Sequence, residues 1–166
     1  MDFFDLEMQK KIAEKDLSKG DSIWPTCIVQ LPNGQKQALS FPFQNNEEKA
    51  YNLLKLRRYI QRVHADSYML VLEVWVSAEQ IPTMTENRQE EVLFAVHDGN
   101  EETHYNWPIT RNDDGTGMLT EPRDNDMANA QGSFADLFDI TVFEQLNTTQ
   151  KRKLDKVIDK MMKTYH

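Results

Sequence analysis

A single cysteine, Cys27, occurs among 166 residues. An internal disulfide is therefore impossible, and a metal site built from clustered cysteines is excluded with it. No apolar run approaches the ~20 residues that a membrane-crossing helix needs. No helical HExxH spacing, Gly-x-Ser-x-Gly elbow, phosphate-cradling glycine loop or dinucleotide fingerprint occurs, so the enzyme classes that those motifs mark have no support. The N-terminal MDFFDLEMQKK has charges on both sides of its few apolar residues, unlike a secretory leader. The expected location is cytoplasmic, and the sequon at Asn147-Thr148-Thr149 is incidental in that setting.

The composition is that of an ordinary folded domain, with 39% hydrophobic and 28% charged residues, and the length is enough for one real core. The formal net charge of −8 argues against nonspecific nucleic-acid or membrane binding over the whole surface, though not against a local basic patch.

The chain is organised around Tyr68-Met69-Leu70-Val71-Leu72-Glu73-Val74-Trp75-Val76. Strand side chains alternate, so Tyr68, Leu70, Leu72, Val74 and Val76 share one face and Met69, Val71, Glu73 and Trp75 the other. Both faces are apolar apart from Glu73, which predicts a central strand covered on both sides. A carboxylate there must be paired, protonated or at the strand's wet end.

Before it, Phe4, Met8 and Ile12 at i, i+4 spacing predict a short amphipathic helix over residues 3–17. Two strands, Thr26–Leu31 and Gln35–Phe43, flank the turn Pro32-Asn33-Gly34. Asn45-Asn46-Glu47-Glu48 opens a helix running to about Ala65, with Leu53, Leu56, Ile60 and Val63 as its buried stripe. His64 falls on its inner or boundary side, as a structural histidine. After a polar connection at 77–87, strands are expected at Val92–His97 and Thr103–Thr110, joined by Asp98-Gly99-Asn100. Residues 112–132 read as a polar loop or linker. Ser133 caps a short helix, and a last helix covers about Thr149–Thr164.

The expected fold class is α+β: a two-layer domain with a five-stranded antiparallel sheet and helices in the order αββαβββ, followed by a C-terminal helical tail. Residues 1–111 form the core, 112–132 the loop, and 133–166 a tail that packs on the core or on a partner subunit. Roadblock and profilin-like domains are similar in element order, an analogy of fold that carries no function.

The strongest site candidate joins Glu73 and Trp75 to Arg88 and Glu90, which precede the next strand. An Arg88–Glu73 pair would satisfy the central carboxylate. Read simply, that pair fixes a strand junction; read functionally, Glu73, Arg88 and Glu90 line a small polar pocket beside Trp75, with a carboxylate as base or ligand. The run LEVWVSAEQIP…TENRQEEVLFAVHDG resembles that of a family of small bacterial and phage-borne proteins. In them a strand ending Glu-x-Trp is followed, after a proline-containing loop, by Arg-x-Glu. Glu73, Trp75, Arg88 and Glu90 are the matching positions, and Glu86-Asn87 stand where that family carries Pro-Asp. The resemblance implies a phage or mobile-element association and a site, and no chemistry.

Two imidazoles, His97 and His104, flank one turn and are the weak metal candidates; no metal and no cofactor is expected. Asn112-x-Asp114-x-Thr116-Gly117 imitates the start of a calcium loop, but Arg123 stands where its bidentate glutamate belongs. Lys55, Arg58 and Arg62 on the second helix, and Lys153, Lys156 and Lys160 on the last, form basic faces. Each is either a solvated surface or a partner-binding stripe. Cys27 reads as a small buried hydrophobe.

Three functions follow. The first is a non-enzymatic protein-interaction module, homodimeric, with itself or another protein as partner. The second is a small hydrolase or ligand-binding domain using Glu73, Arg88 and Glu90. The third is nucleic-acid binding through the basic helix faces.

Overall fold

A computed structural model describes residues 5–77, 88–120, 137–139 and 141–165, and of residues 75–77, 88–89 and 165 the backbone alone. The chain is α+β, with an open antiparallel sheet. In chain order the elements are α1 (Leu6–Ser18), β1 (Thr26–Gln30), β2 (Lys36–Ser40), α2 (Asn46–Arg62), β3 (Ser67–Ser77), β4 (Arg88–His97), β5 (Glu102–Arg111), β6 (Gly117–Leu119), α3 (Thr141–Glu144) and α4 (Thr148–Tyr165). The sheet has six strands in the order β2-β1-β3-β4-β5-β6, so the expectation of five strands in an αββαβββ order is corrected. The added strand, β6, lies inside the stretch read as a loop. Asn112 and Thr116 close a turn there, with the Asn112 N–H on the Thr116 carbonyl at 2.7 Å. That turn folds Gly117–Leu119 back against Ile109–Arg111. Three residues are too few for a periodic signal.

The chain divides into two compact units. The first comprises residues 1–25, 69–96 and 103–130, and holds α1, most of β3, β4 and β5, and β6. Its core includes Met69, Leu70, Leu72, Val92, Leu93, Phe94 and Ala95, all fully buried. Burial of consecutive residues from Met69 to Leu72 is what a strand covered on both faces requires. Phe94 and Trp107 meet edge to face at 5.2 Å, and Lys10 of α1 lies 5.5 Å from the Trp107 ring. The helix is oriented differently from the expectation: Ala13 and Leu17 are buried, whereas Met8 and Ile12 are 54% and 48% exposed.

The second unit comprises residues 26–68, 97–102 and 131–166. β1 and β2 form a hairpin pairing Thr26 with Ser40 through Gln30 with Lys36, turned by Gly34 at φ +85°. The N-terminus of α2 is fixed as the sequence suggests: Asn45 Oδ1 accepts the Glu48 N–H at 2.8 Å, and the Glu48 carboxylate reaches back to the Gln44 N–H at 2.8 Å. Such a cap satisfies donors that the first turn leaves without helical partners. Leu53, Leu56, Tyr59 and Ile60 bury the inner stripe.

The helix ends at Arg62, before the expected Ala65. His64 takes the left-handed conformation with φ 55°, and the Ala65 and His64 N–H groups close on the Ile60 and Gln61 carbonyls. This is a Schellman end with histidine where glycine is commonest. His64 is exposed at a helix stop, which corrects its placement on the inner or boundary side of the helix. From there the Asp66 N–H bonds the Gln30 carbonyl at 2.9 Å, tying the entry of β3 to the end of β1. α4 packs on α2, burying Leu154 and Ile158. Its first turn is closed by a reciprocal cap, Gln150 N–H to Asn147 Oδ1 and Asn147 N–H to Gln150 Oε1.

Candidate functional site

Glu73 is paired, as a carboxylate in a largely apolar strand must be. Its Oε1 accepts the Ile23 N–H at 2.8 Å and faces Arg111 Nη2 at 3.4 Å. The Nε of the same guanidinium donates to Glu90 Oε2 at 2.8 Å, and its Nη1 reaches the Gly115 carbonyl at 3.4 Å. One arginine thus bridges two carboxylates, with side chains 21% exposed for both acids and 27% for Arg111. Glu90, chiefly by its direct hydrogen bond, holds the Arg111 guanidinium still more firmly in its charged form. The cluster carries one net negative charge. Glu73 and Glu90 meet on one guanidinium, and the described cation between them is Arg111, the last residue of β5. Trp75 and Arg88 stand in β3 and β4, and their side chains lie outside the described ones.

Arg111 falls outside the strand that the sequence predicts, which ends one residue early, at Thr110. The signal was present: in an antiparallel hairpin the first residue of β4 and the last of β5 lie at the same end, so Arg88 and Arg111 were equal candidates. Glu91 also went unnoticed. It is fully buried, and its Oε1 accepts Asn106 Nδ2 at 3.0 Å. Extending β4 back to Arg88 puts Glu91 in phase with Leu93 and Ala95, which marks it as inward-facing.

Neither histidine candidate belongs to a metal centre among the described residues, where no group of three or more His, Cys, Asp or Glu side chains could hold an ion. His97 is buried, its Nδ1 accepts the Gly99 N–H at 3.0 Å, and Phe138 meets its ring edge to face at 4.5 Å. His104 is half-buried on β5. At the calcium-like motif, Asp114 Oδ1 accepts the Thr116 N–H and hydroxyl. Those bonds hold its carboxyl below the usual range, so the motif serves as a turn. Burial pushes the Cys27 thiol well up, away from the thiolate that nucleophilic chemistry needs.

The basic faces differ from each other. Arg58 Nε and Nη2 fork onto Asp155 at 2.8 and 3.3 Å, and Arg62 reaches Asp155 at 3.5 Å and Asp159 at 2.9 Å. Lys55 lies 4.9 Å from the Tyr51 ring. Arg58 and Arg62 are thus engaged within the helix pair. Lys153, Lys156 and Lys160 are exposed on α4, together with Arg152 and Lys163.

Among the described residues, recesses lie in the second unit. An open groove of about 710 Å³ is lined by Leu31, Pro32, Asn33, Val63, Met162 and Lys163. A smaller one, about 160 Å³, sits beside Arg57, His64 and Phe138. Among the described residues no helix is long and apolar enough to cross a membrane. No protein-family model, curated protein or solved structure matches this chain.

Proposed function

We propose that this protein is a non-catalytic interaction module that self-associates as a homodimer through the outward stripe of α1. The observation that carries the reading is the exposure of Met8 and Ile12. They are 54% and 48% accessible and stand one turn apart on a helix whose Ala13 and Leu17 are already buried in its own unit. The helix has a second apolar stripe beyond the one its own unit covers, and paired apolar side chains left to water favour association. In sequence this stripe begins at Phe4, outside the described residues. Glu73 and Glu90 support the non-catalytic part: each turns an oxygen to the same guanidinium, whereas a general base must reach a substrate proton.

Light scattering coupled to size exclusion, on the full chain over a range of concentrations, tests this reading. The expected result is a dimer mass for the wild type and a monomer mass for a variant carrying Met8→Ser and Ile12→Ser, with the same far-UV circular dichroism. A wild type that is monomeric at every concentration, or a dimer that survives both substitutions, overturns it.

A further inference from the structure

α4 presents five cations along one face. At 100° per residue, Arg152, Lys163, Lys156, Lys160 and Lys153 fall within an arc of about 100°, and at 1.5 Å per residue they span about 16 Å. All five are exposed. The helix has just two acids, Asp155 and Asp159, and both are turned to α2, where Arg58 and Arg62 hold them. Arg58 keeps the Asp155 carboxyl below its ordinary range, so that negative charge persists inside the helix pair and does not offset the outer lysines. The ion pairs between the helices thus draw Asp155 and the half-exposed Asp159 toward α2 and leave the five bases on the outer arc.

The charge of the whole chain hides this. Over the residues of the first unit there are 16 acids and 7 bases, a formal −9; over those of the second there are 11 acids and 12 bases, a formal +1. The acidity that argued against a polyanionic partner resides in the unit that does not carry α4. At physiological ionic strength fields are attenuated over about 8 Å, so a local stripe acts on what touches it.

We infer that the outer face of α4 binds the phosphodiester backbone of a nucleic acid, without reading its sequence. Four of the five cations are lysines, and the one other residue of α4 within the arc is the small, polar Thr149. Protein interfaces are centred on aromatic, Met and Arg anchors and are depleted in Lys. A phosphate backbone needs no such anchors; a regular row of positive charges suffices, and affinity comes from released counterions. Arg152, Lys156 and Lys160 repeat at i, i+4, about 6 Å apart along the axis, a regular row for a regular polyanion. Base discrimination is not expected, because the stripe carries no amide or acid to read adenine or cytosine, and its cations serve the phosphates.

The test is fluorescence polarisation of a labelled mixed-sequence oligonucleotide, single-stranded and duplex, titrated with the full chain. If all five cations engage, the slope of log affinity against log salt is about −3.5 for the single strand and about −4.5 for the duplex. Raising salt from about 50 to about 200 mM then weakens binding on the order of a hundred- to five-hundredfold. Lys156→Glu with Lys160→Glu, at exposed sites with an unchanged circular dichroism spectrum, is expected to weaken binding at low salt by more than tenfold. Lys156→Arg with Lys160→Arg is expected to retain it. Absence of binding at low salt, a slope near zero, or indifference to the charge reversal overturns the proposal. So does binding to phosphatidylserine vesicles or to polyglutamate in place of the oligonucleotide. The α1 variant used against self-association leaves these five cations untouched, so the two readings fail separately.

Discussion

Replacing Arg111 by methionine keeps the apolar stem of the side chain and removes its charge and donors. Two carboxylates, each 21% exposed, are then left facing each other with the Ile23 N–H as the described donor still on Glu73. Exposed ion pairs are worth at most about 1 kcal/mol, whereas breaking a buried one costs about 3–5 kcal/mol. This cluster lies between those limits. Its short arm, Arg111 Nε to Glu90 at 2.8 Å, is a charge-assisted hydrogen bond of a kind worth about 1.5–3 kcal/mol. We expect a loss of about 2 kcal/mol, which at a urea m-value of about 2 kcal/mol per molar moves the unfolding midpoint down by about 1 M.

The two acids should not respond equally. Glu73→Gln keeps an oxygen for both the Ile23 N–H and Arg111 Nη2, gives up only the charge that strengthens the 3.4 Å arm, and removes the excess negative charge, so its cost should stay under about 1 kcal/mol. Glu90→Gln weakens the short arm and should cost more. In the double variant Arg111→Met with Glu90→Gln, the two effects should fall short of additive by about 1 kcal/mol, as expected for groups in direct contact. Urea titrations of the four variants, followed by circular dichroism, measure all of this. A midpoint that Arg111→Met leaves unmoved, or a larger loss for Glu73→Gln than for Glu90→Gln, would refute the clamp as drawn.

Acid should weaken the α2–α4 contact. Arg58 first, then Arg62, hold the Asp155 carboxyl below its ordinary value, so its contribution is complete above the unfolded pKa of about 4 and is lost as pH falls through the lower folded value. With the Asp155 side chain 35% exposed, solvent screening limits the effect to under about 1 kcal/mol. Urea midpoints at pH 5 and pH 3 should differ less for Asp155→Asn than for the wild type. Gly99→Ala should be far more damaging than Gly34→Ala. Both glycines have positive φ, but a Cβ at Gly99 would sit 3.0 Å from the Asp66 carbonyl, while the one at Gly34 meets nothing within 4 Å. Left-handed strain alone costs about 1–2 kcal/mol, and the added clash should bring the loss at Gly99 above about 2 kcal/mol, or about 4–8 °C in Tm.

What could be read from the sequence was what depends on neighbours along the chain. The central strand announced itself because apolar residues continue through both parities, and the cap at Asn45 because an amide precedes two acids. Glu73 was recognised as needing a partner, since the cost of a bare carboxylate does not depend on the fold. Which arginine supplies the charge depends on strand length: one more residue in β5 makes Arg111 a sheet residue. α1 failed for a related reason. Met8 and Ile12 are its most apolar pair, yet Ala13 and Leu17 face the core. Hydrophobicity gives the number of apolar stripes on a helix, and the neighbouring element decides which is covered. α1 packs against β6, and just past its end a Cβ at Gly20 would lie 3.8 Å from the Gly115 carbonyl.

The same dependence decides what a charged face means. On sequence the basic stripes of α2 and α4 looked equivalent, each a set of cations at helical spacing. Pairing the two helices separates them, because α4 supplies two acids, at i and i+4, in register with Arg58 and Arg62 of α2, also at i and i+4. An antiparallel or parallel neighbour with that spacing converts one cationic stripe into a structural seam. The cations left over on the far side of α4 then lose the acids that balanced them along the helix. A binding face can thus arise as the remainder of a packing solution, and its sign need not follow the net charge of the chain. For this protein the sign is opposite: a chain of −8 carries on α4 a row of five exposed positive side chains.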